Sequence, residues 1–381
     1  MSIIIGIIGL SFLVFFHELG HFIASRLCGV KVISFSIGMG PVLLHKTIKG
    51  TDYRLSLIPL GGYCGMKGEK DFIKALEENK KSIEGEPHSF YGVHPLKRML
   101  ISLAGPFNNL IFAVLAFFII AMCGYSYYTA DNTISLPEEY EELQNIPSPA
   151  KEAGILTGDK IIRMNSTEIK DSNDIFEFVS THGDQDILIT VQRMIDGNPA
   201  ILEFNVHSNL DKETGSGKIG VVFSRDSITE KKYGPFGFFG AIKEGFVQTG
   251  KTIKLTFTSL GILFKGVKIT SAVSGPAKIT SMLGETVKSG FSSGFKNGLV
   301  STLDLLALIS ISLFIMNLLP VPILDGGNVL FSLIEIITRK KMNPKVLYYI
   351  QFAGIAFLGA LFVIALLGDL SYIKGLFTKA P

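Results

Sequence analysis

The sequence predicts a polytopic α-helical membrane protein of about four transmembrane helices, with a membrane-associated β segment and one soluble α+β domain. Three observations carry that prediction. Apolar residues make up 47% of the 381 positions and charged residues only 18%, a balance more apolar than an ordinary soluble domain. Four stretches are long enough to span a bilayer: Ile3 to Leu27, Met99 to about Gly124, Leu299 to about Leu319, and Tyr348 to Leu367. Between the second and third, residues 129–225 change to short strand-like runs punctuated by turn residues, the composition of a self-contained soluble block.

A net charge of +3, spread out and not interleaved with aromatics, excludes nucleic acid as a partner class. Cys28, Cys64 and Cys123 are odd in number, lack CxxC spacing and lie in or near membrane segments, which argues against a disulfide framework or a thiolate zinc site. The N-terminal apolar run has no basic leader and is interrupted by His17, Glu18 and His21, so it reads as a retained helix and not a cleaved signal. The chain divides accordingly into 1–28 (first span), 29–96 (β segment and polar loop), 97–124 (second span), 125–228 (soluble domain) and 229–298 (amphipathic region). The rest is 299–327 (third span), 328–346 (loop), 347–368 (fourth span) and 369–381 (tail).

The first span holds His17-Glu18-Leu19-Gly20-His21. On a helix, two imidazoles four residues apart stack on one face, where a single metal can take both nitrogens. Glu18 is rotated off that face, so it flanks the metal and is free to act as general base. Ionisable groups in a hydrocarbon-length segment cost about 2.5 to 3.5 kcal/mol each and are usually functional. Short connections set the orientation. Arg26, Lys31, Arg54, Lys97 and Arg98 follow the first span, and Arg339, Lys340, Lys341 and Lys345 follow the third. By the positive-inside rule both connections are cytoplasmic, and the N-terminus, the soluble domain and the C-terminus lie outside. His17 then sits roughly 20 Å below the outer surface, in the cytoplasmic half of the bilayer.

Val32 to Met66 alternates like strands with glycines at Gly38, Gly40, Gly61 and Gly62. Such a sheet is tolerated at membrane depth only where it packs on protein or lines a cavity, so a small re-entrant sheet beside the first span is expected. Residues 67–95 are rich in Lys and Glu and read as a solvated loop. In the second span, Gly105-Pro106-Phe107-Asn108-Asn109 predicts a kink and brings two amides into hydrocarbon, with Asn109 either a helix-packing clamp or a group facing a reacting carbonyl.

The soluble block carries Pro149-Ala150-Lys151-Glu152-Ala153-Gly154-Ile155-Leu156-Thr157-Gly158-Asp159, then a strand into Asn165-Ser166, a helical stretch from Asn173 to Val179, and strands near Ile187 to Arg193 and Ile201 to Val206. This resembles a bacterial PDZ domain, with Asn165-Ser166 where Asn-Gly is usual. The resemblance implies binding of peptide C-termini by strand addition. From Tyr233 to Asn297 apolar residues interleave with lysines, including Lys243, Lys251, Lys265 and Lys268, a pattern that predicts surface helices lying on the outer leaflet.

The third span runs into Asn317-Leu318-Leu319-Pro320-Val321-Pro322-Ile323-Leu324-Asp325-Gly326-Gly327. A catalytic zinc usually keeps three protein ligands and one open position, and Asp325 reaches the same depth as His17 and His21, so it is the candidate third ligand. Pro320 and Pro322 break the helix there and hold the carboxylate on a bend.

The order of these motifs, with Pro59-Leu60-Gly61-Gly62-Tyr63, Ala104-Gly105-Pro106-x-x-Asn109 and Ser274-Gly275-Pro276, resembles the bacterial site-2 protease family, and within it the regulator of sigma-E protease type. The resemblance covers nearly the whole chain. It implies an intramembrane zinc endopeptidase of the bacterial inner membrane, with His17, His21 and Asp325 binding Zn2+ and Glu18 as base. It also implies that Asn109 and Asn317 position substrate and that the β segment at Gly61, Gly62 and Tyr63 pairs with an unwound substrate strand. Substrates would be single-span membrane proteins already trimmed outside, such as anti-sigma factors, or signal-peptide remnants, met in contact with membrane lipid. Two features depart from the family pattern: one PDZ domain where the best-known proteobacterial members have two, and Lys278 where a small residue is usual. Two other readings are a prenyl-protease-like zinc protease, whose third ligand is a Glu, and an inactive PDZ membrane scaffold. The intact Glu18 argues against the scaffold, since packing needs no base.

Overall fold

The computed structural model describes residues 2–212, 214–262 and 275–378; Ser274, Lys265, Lys268 and residues 379–381 lie outside the described residues. The chain forms two compact units. The first takes in the chain up to Cys123, Phe236–Thr252 and the C-terminal part, and the second Gly124–Pro235 together with the chain from Ile253.

In the first unit α1 (Ser2–Cys28) is followed by β1 (Val32–Ile48), β2 (Thr51–Met66), α2 (Asp71–Glu77) and α3 (Pro95–Cys123). α1 stops at Gly29, whose φ of +82° is the left-handed C-terminal turn that glycine supplies at no steric cost. The second unit holds β3 (Tyr125–Thr129), α4 (Pro149–Glu152), β4 (Lys160–Met164), β5 (Thr167–Glu168), α5 (Ser172–Thr181), β6 (Asp186–Ile195), β7 (Asn198–His207), β8 (Asn209–Leu210), β9 (Gly217–Lys218) and β10 (Thr229–Tyr233). After it come α6 (Phe238–Ile262), α7 (Pro276–Ser292), α8 (Phe295–Leu318), α9 (Asp325–Thr338) and α10 (Pro344–Thr378). Among the described residues α1, α3, α8 and α10 are long and apolar enough to cross a membrane.

α1, α3 and α8 form the centre of the first unit. Gly20 lets α1 close on α3, since a Cβ there would stand 2.3 Å from the Ala104 carbonyl oxygen. The Asn108 amide donates to the Phe16 carbonyl and Ser310 Oγ donates to the Asn109 carbonyl at 2.9 Å, so α3 is tied to α1 on one side and α8 on the other. These amide and hydroxyl bonds are what hold helices together where lipid offers no hydrophobic drive. The helix runs through Pro106 without interruption.

β1 and β2 fold into a small sheet in which Ser34, Phe35, Ser36 and Ile37 face Asp52, Tyr53, Arg54 and Leu55 on one side. On the other side the same four residues face Gly65, Cys64, Tyr63 and Gly62. The second half of β1 turns back, so that Leu44 to Ile48 pair with Leu55 to Thr51. Gly61 to Met66 is therefore an outer strand with no further strand partner among the described residues. Phe35 packs with Phe15 and Phe22 of α1, which seats the sheet on the first helix.

Four expectations need correction. Residues 67–95 are not a solvated loop: Ala75 and Ile83 are buried with Leu347 of α10, Phe90 packs with Val30 and Ile101, and Phe72 and Tyr91 cover them. Their few apolar anchors are diluted by lysines and glutamates, so composition hides them. α7 does not lie on the surface. It packs between α1 and α8 with Thr280, Leu283 and Gly284 buried, and Cβ atoms at Gly6 and Gly284 would collide with the Thr280 and Ser2 carbonyls. Small residues, not an apolar run, make that contact. The third span ends at Leu318, and Asp325 opens the separate helix α9, to Thr338, where 328–346 had been expected as loop. Finally, the last helix continues to Thr378 through residues expected as tail.

In the second unit the sheet runs in the order β5-β4-β6-β7, with Ile161, Met164, Ile187, Ile189, Val191 and Val206 buried on one face under Ile175 and Val179 of α5. β6 and β7 are joined through Asp196-Gly197, both at positive φ (+49° and +81°), the two-residue turn that matches strand twist. The Gly-Ile-Leu-Thr-Gly-Asp run is held by an ion pair. Arg193 Nε and Nη2 each donate at 2.7 Å to the buried Asp159 carboxylate, and Nη2 also reaches the Gly154 carbonyl at 2.9 Å. Asp171 caps α5 by accepting from the Asn173 and Asp174 amides.

Candidate metal centre

α1 delivers His17 and His21 one helical turn apart, and their Nε2 atoms lie 3.2 Å from each other. Asp325, first residue of α9, bridges them, with Oδ2 3.1 Å from His17 Nε2 and Oδ1 3.3 Å from His21 Nε2. Among the described residues these three form the one cluster of His, Cys or carboxylate groups whose ligand atoms converge within 4.8 Å.

The outer nitrogens fix what the inner ones can do. His21 Nδ1 lies 2.8 Å from the Ile101 carbonyl, an acceptor, so Nδ1 carries the proton and Nε2 presents a lone pair. His17 Nδ1 lies 3.1 Å from the Asn109 side-chain amide. Asn109 is fully buried, and its Oδ1 has no partner while Nδ2 faces the ring. Turned over, the same amide would present Oδ1 to a proton on His17 Nδ1, filling the orphaned acceptor and leaving Nε2 of His17 bare as well. Lone pairs of two imidazoles and a carboxylate then point at one another, an arrangement that calls for a cation. Donors set tetrahedrally at about 2.0–2.1 Å from a zinc lie about 3.3 Å apart; the two imidazole nitrogens have that spacing, and each has one carboxylate oxygen of Asp325 at a like distance. The donor set therefore fits the metal that the sequence implies.

The backbone makes room for this. A Cβ on Gly105 would stand 2.3 Å from His21 Nε2 and 2.8 Å from His17 Nε2, so the two rings rest directly on the backbone of α3. Asp325 is aimed by the turn from Leu319 to Leu324. Gly326 and Gly327 fold back on it so closely that Cβ atoms there would come within 2.3 Å of the Leu319 and 2.5 Å of the Val321 carbonyl oxygens. Ile323 in the same turn has φ +88°, a left-handed value that a β-branched residue avoids and that costs on the order of 1–3 kcal/mol.

A cavity of about 450 Å³ is lined by His17, His21 and Asp325. Glu18 lines it but is not among the converging ligands, and its Cγ lies near Gly62, where a Cβ would stand 3.6 Å away. The outer strand of the sheet thus passes beside Glu18. Tyr63 also lines the cavity, with its hydroxyl held by Arg54 Nη1 at 2.9 Å, and Gly61, at φ +91°, turns the strand into this position. Asn317, near the end of α8, faces the cavity as well.

Of the residues singled out in the sequence, His17, Glu18, His21, Tyr63, Asn317 and Asp325 line one cavity; Gly62 approaches Glu18 beside it, and Gly61 turns away toward Met39. Asn109 is not among the residues that line the cavity: at zero exposure it touches the His17 ring. Sequence reasoning missed Tyr91, Asn328 and Gln351, which also line it. Gln351 carried a signal of the same kind as Asn109, an amide within an apolar span. Tyr91 carried none, since it stands in the stretch read as loop.

The family model for peptidase family M50 matches residues 5–361 of the chain. A Treponema pallidum protein is 33% identical to it over 98% of this chain and 99% of its own length. One from Campylobacter jejuni is 34% identical over 96% and 92%, and one from Clostridium acetobutylicum 31% identical over 97% and 98%. Each of the three carries the name "Putative zinc metalloprotease".

Proposed function

The chain belongs to peptidase family M50, the site-2 proteases, and from that premise we propose that it is an intramembrane zinc endopeptidase acting on single-span membrane proteins. The observation that carries this reading is the convergence of His17, His21 and Asp325 under a cavity that also holds the uncommitted carboxylate of Glu18. His17 and His21 through Nε2, and Asp325 through its carboxylate, would hold the zinc. When bound, zinc supplies the Lewis acidity that lets water lose a proton near neutral pH and that polarises a peptide carbonyl. Glu18 is the group that takes that proton and returns it to the leaving amine. Asn109 keeps His17 in the ligating tautomer and so acts on substrate only through the ligand it holds. Asn317 would hydrogen-bond the substrate backbone, a role that its presence in the cavity lining supports.

A peptide bond in a helix hides its carbonyl, so the substrate must unwind before it is cut. The free side of Gly61 to Met66 offers backbone groups for a substrate strand, and its passage beside Glu18 supports the edge at Gly61, Gly62 and Tyr63 as the receiving surface. The second unit we read as a PDZ domain that screens C-termini outside the membrane, before they reach the site. The four-stranded sheet with α5 at its side and the glycine-framed Asp159 turn support that reading. Asp325 within 3.3 Å of both histidines favours this assignment over a protease whose third ligand is a Glu.

The test is cleavage of a reconstituted single-span substrate. Wild type should cut within or near the transmembrane segment, and Glu18→Gln should not; equal cleavage by both would refute the assignment of the base.

A further inference from the structure

We propose that the basic cavity between the start of α3 and the end of α9 binds the phosphate headgroup of an anionic phospholipid. The cavity measures about 680 Å³, within the range of about 300–1,000 Å³ in which small-molecule sites fall. It is distinct from the metal centre, sharing with that cavity only the wall residue Tyr91.

Its charge is strongly positive. Arg98, Arg339, Lys340 and Lys341 line it, with His94 beside them, against a single carboxylate, Glu335. That carboxylate is already spent: Oε2 takes Arg98 Nη2, and Oε1 accepts from the Met342 amide at 2.8 Å. Arg339, Lys340 and Lys341 have no carboxylate partner among the described residues. Arg98 is only 7% exposed, its guanidinium lies 5.4 Å over the Tyr91 ring, and its Nε is buried with no hydrogen-bond partner. A planar guanidinium in the cavity wall suits a phosphate oxygen by charge and by hydrogen-bond geometry.

The surroundings point to a lipid more than to a free phosphate. Ile83, Val93, Pro95 and Ile336 share the lining with the cations, which suits a molecule polar at one end and apolar at the other. Arg98 stands in the first turn of α3, and Lys341 lies in the short link from α9 to α10, so the cavity lies where two apolar, span-length helices begin, at headgroup depth. Exposed Leu96 and Leu100 on α3 and Ile337 on α9 add an apolar flank for an acyl chain. Basic clusters at this position attract anionic headgroups.

The experiment compares the purified full chain with an Arg339→Gln, Lys340→Gln, Lys341→Gln variant, each in nanodiscs of phosphatidylcholine doped with phosphatidylglycerol, and reads retained lipid by native mass spectrometry after detergent transfer. These three exposed side chains lie outside the metal centre, and an unchanged melting temperature and zinc content in the variant certify its fold. Each surface cation attracts an anionic lipid by a factor of about five, so the variant should lose affinity on the order of a hundredfold. Wild type should retain phosphatidylglycerol over phosphatidylcholine, and millimolar inorganic phosphate should not displace it. Equal retention by wild type and variant overturns the site. Binding of inorganic phosphate with no preference between the two lipids overturns the lipid as its source.

Discussion

Asp325 Oδ2 stands 3.1 Å from His17 Nε2, joining the first helix of the chain to the first residue of α9. The contact depends on a break in the chain after Leu318. Had the third span continued as one helix, its carboxylate would have been carried past the histidines, whereas the turn from Leu319 to Leu324 returns it to them.

Replacing Asn109 by Ala should weaken zinc binding by about 10- to 100-fold, the usual effect of losing the partner that orients a ligating imidazole. Zinc affinity measured with a competing chelator checks this independently of cleavage. Asn109→Asp, which restores an acceptor for His17 Nδ1–H, should recover most of the loss. A role in contacting substrate would instead leave zinc affinity unchanged and alter KM.

Gly105→Ala should disable the centre while leaving the helices assembled, because the new methyl would stand 2.3 Å from His21 Nε2. Displacing a ligand by about 1 Å is expected to cost on the order of a hundredfold in rate. Cleavage rate together with helical content by circular dichroism separates this from unfolding.

The second unit should lose stability at acid pH through Asp171. Burial alone would raise its carboxyl, but the Lys231 ammonium at 2.9 Å and the Asp174 and Asn173 amides outweigh burial and hold it below the ordinary value. Because the folded value is the lower one, the stabilisation is complete above the unfolded carboxyl value of about 3.9 and is lost as pH falls through the folded one. Asp171→Asn should remove on the order of 1 kcal/mol at neutral pH and flatten the acid limb of the curve. Hydrogen exchange of the α5 amides between pH 3 and 7 reads both effects.

Much of this centre could be read from residue order, because its parts violate the chemistry of their surroundings. Two histidines, a glutamate and an aspartate in or beside apolar runs demand a reason, and helical spacing places the histidines together. Apolar run length likewise marked α1, α3, α8 and α10. What stayed hidden depends on packing that composition averages away. Phe72, Phe90 and Tyr91 close over the cavity from a stretch dominated by lysine and glutamate. α7 enters the bundle through Gly6 and Gly284, which add nothing to apolarity. Asn109 was legible as a buried amide in need of a partner, but only the packing of α3 on α1 reveals that the partner is His17.

The most direct test of the central claim is zinc stoichiometry by mass spectrometry on purified full-length chain, comparing wild type, Glu18→Gln and Asp325→Ala in one preparation series. The account predicts one zinc per chain in wild type and in Glu18→Gln, and a marked loss in Asp325→Ala, with cleavage of the reconstituted substrate seen in wild type alone. Full zinc occupancy in Asp325→Ala, or cleavage by Glu18→Gln at the wild-type rate, would contradict it.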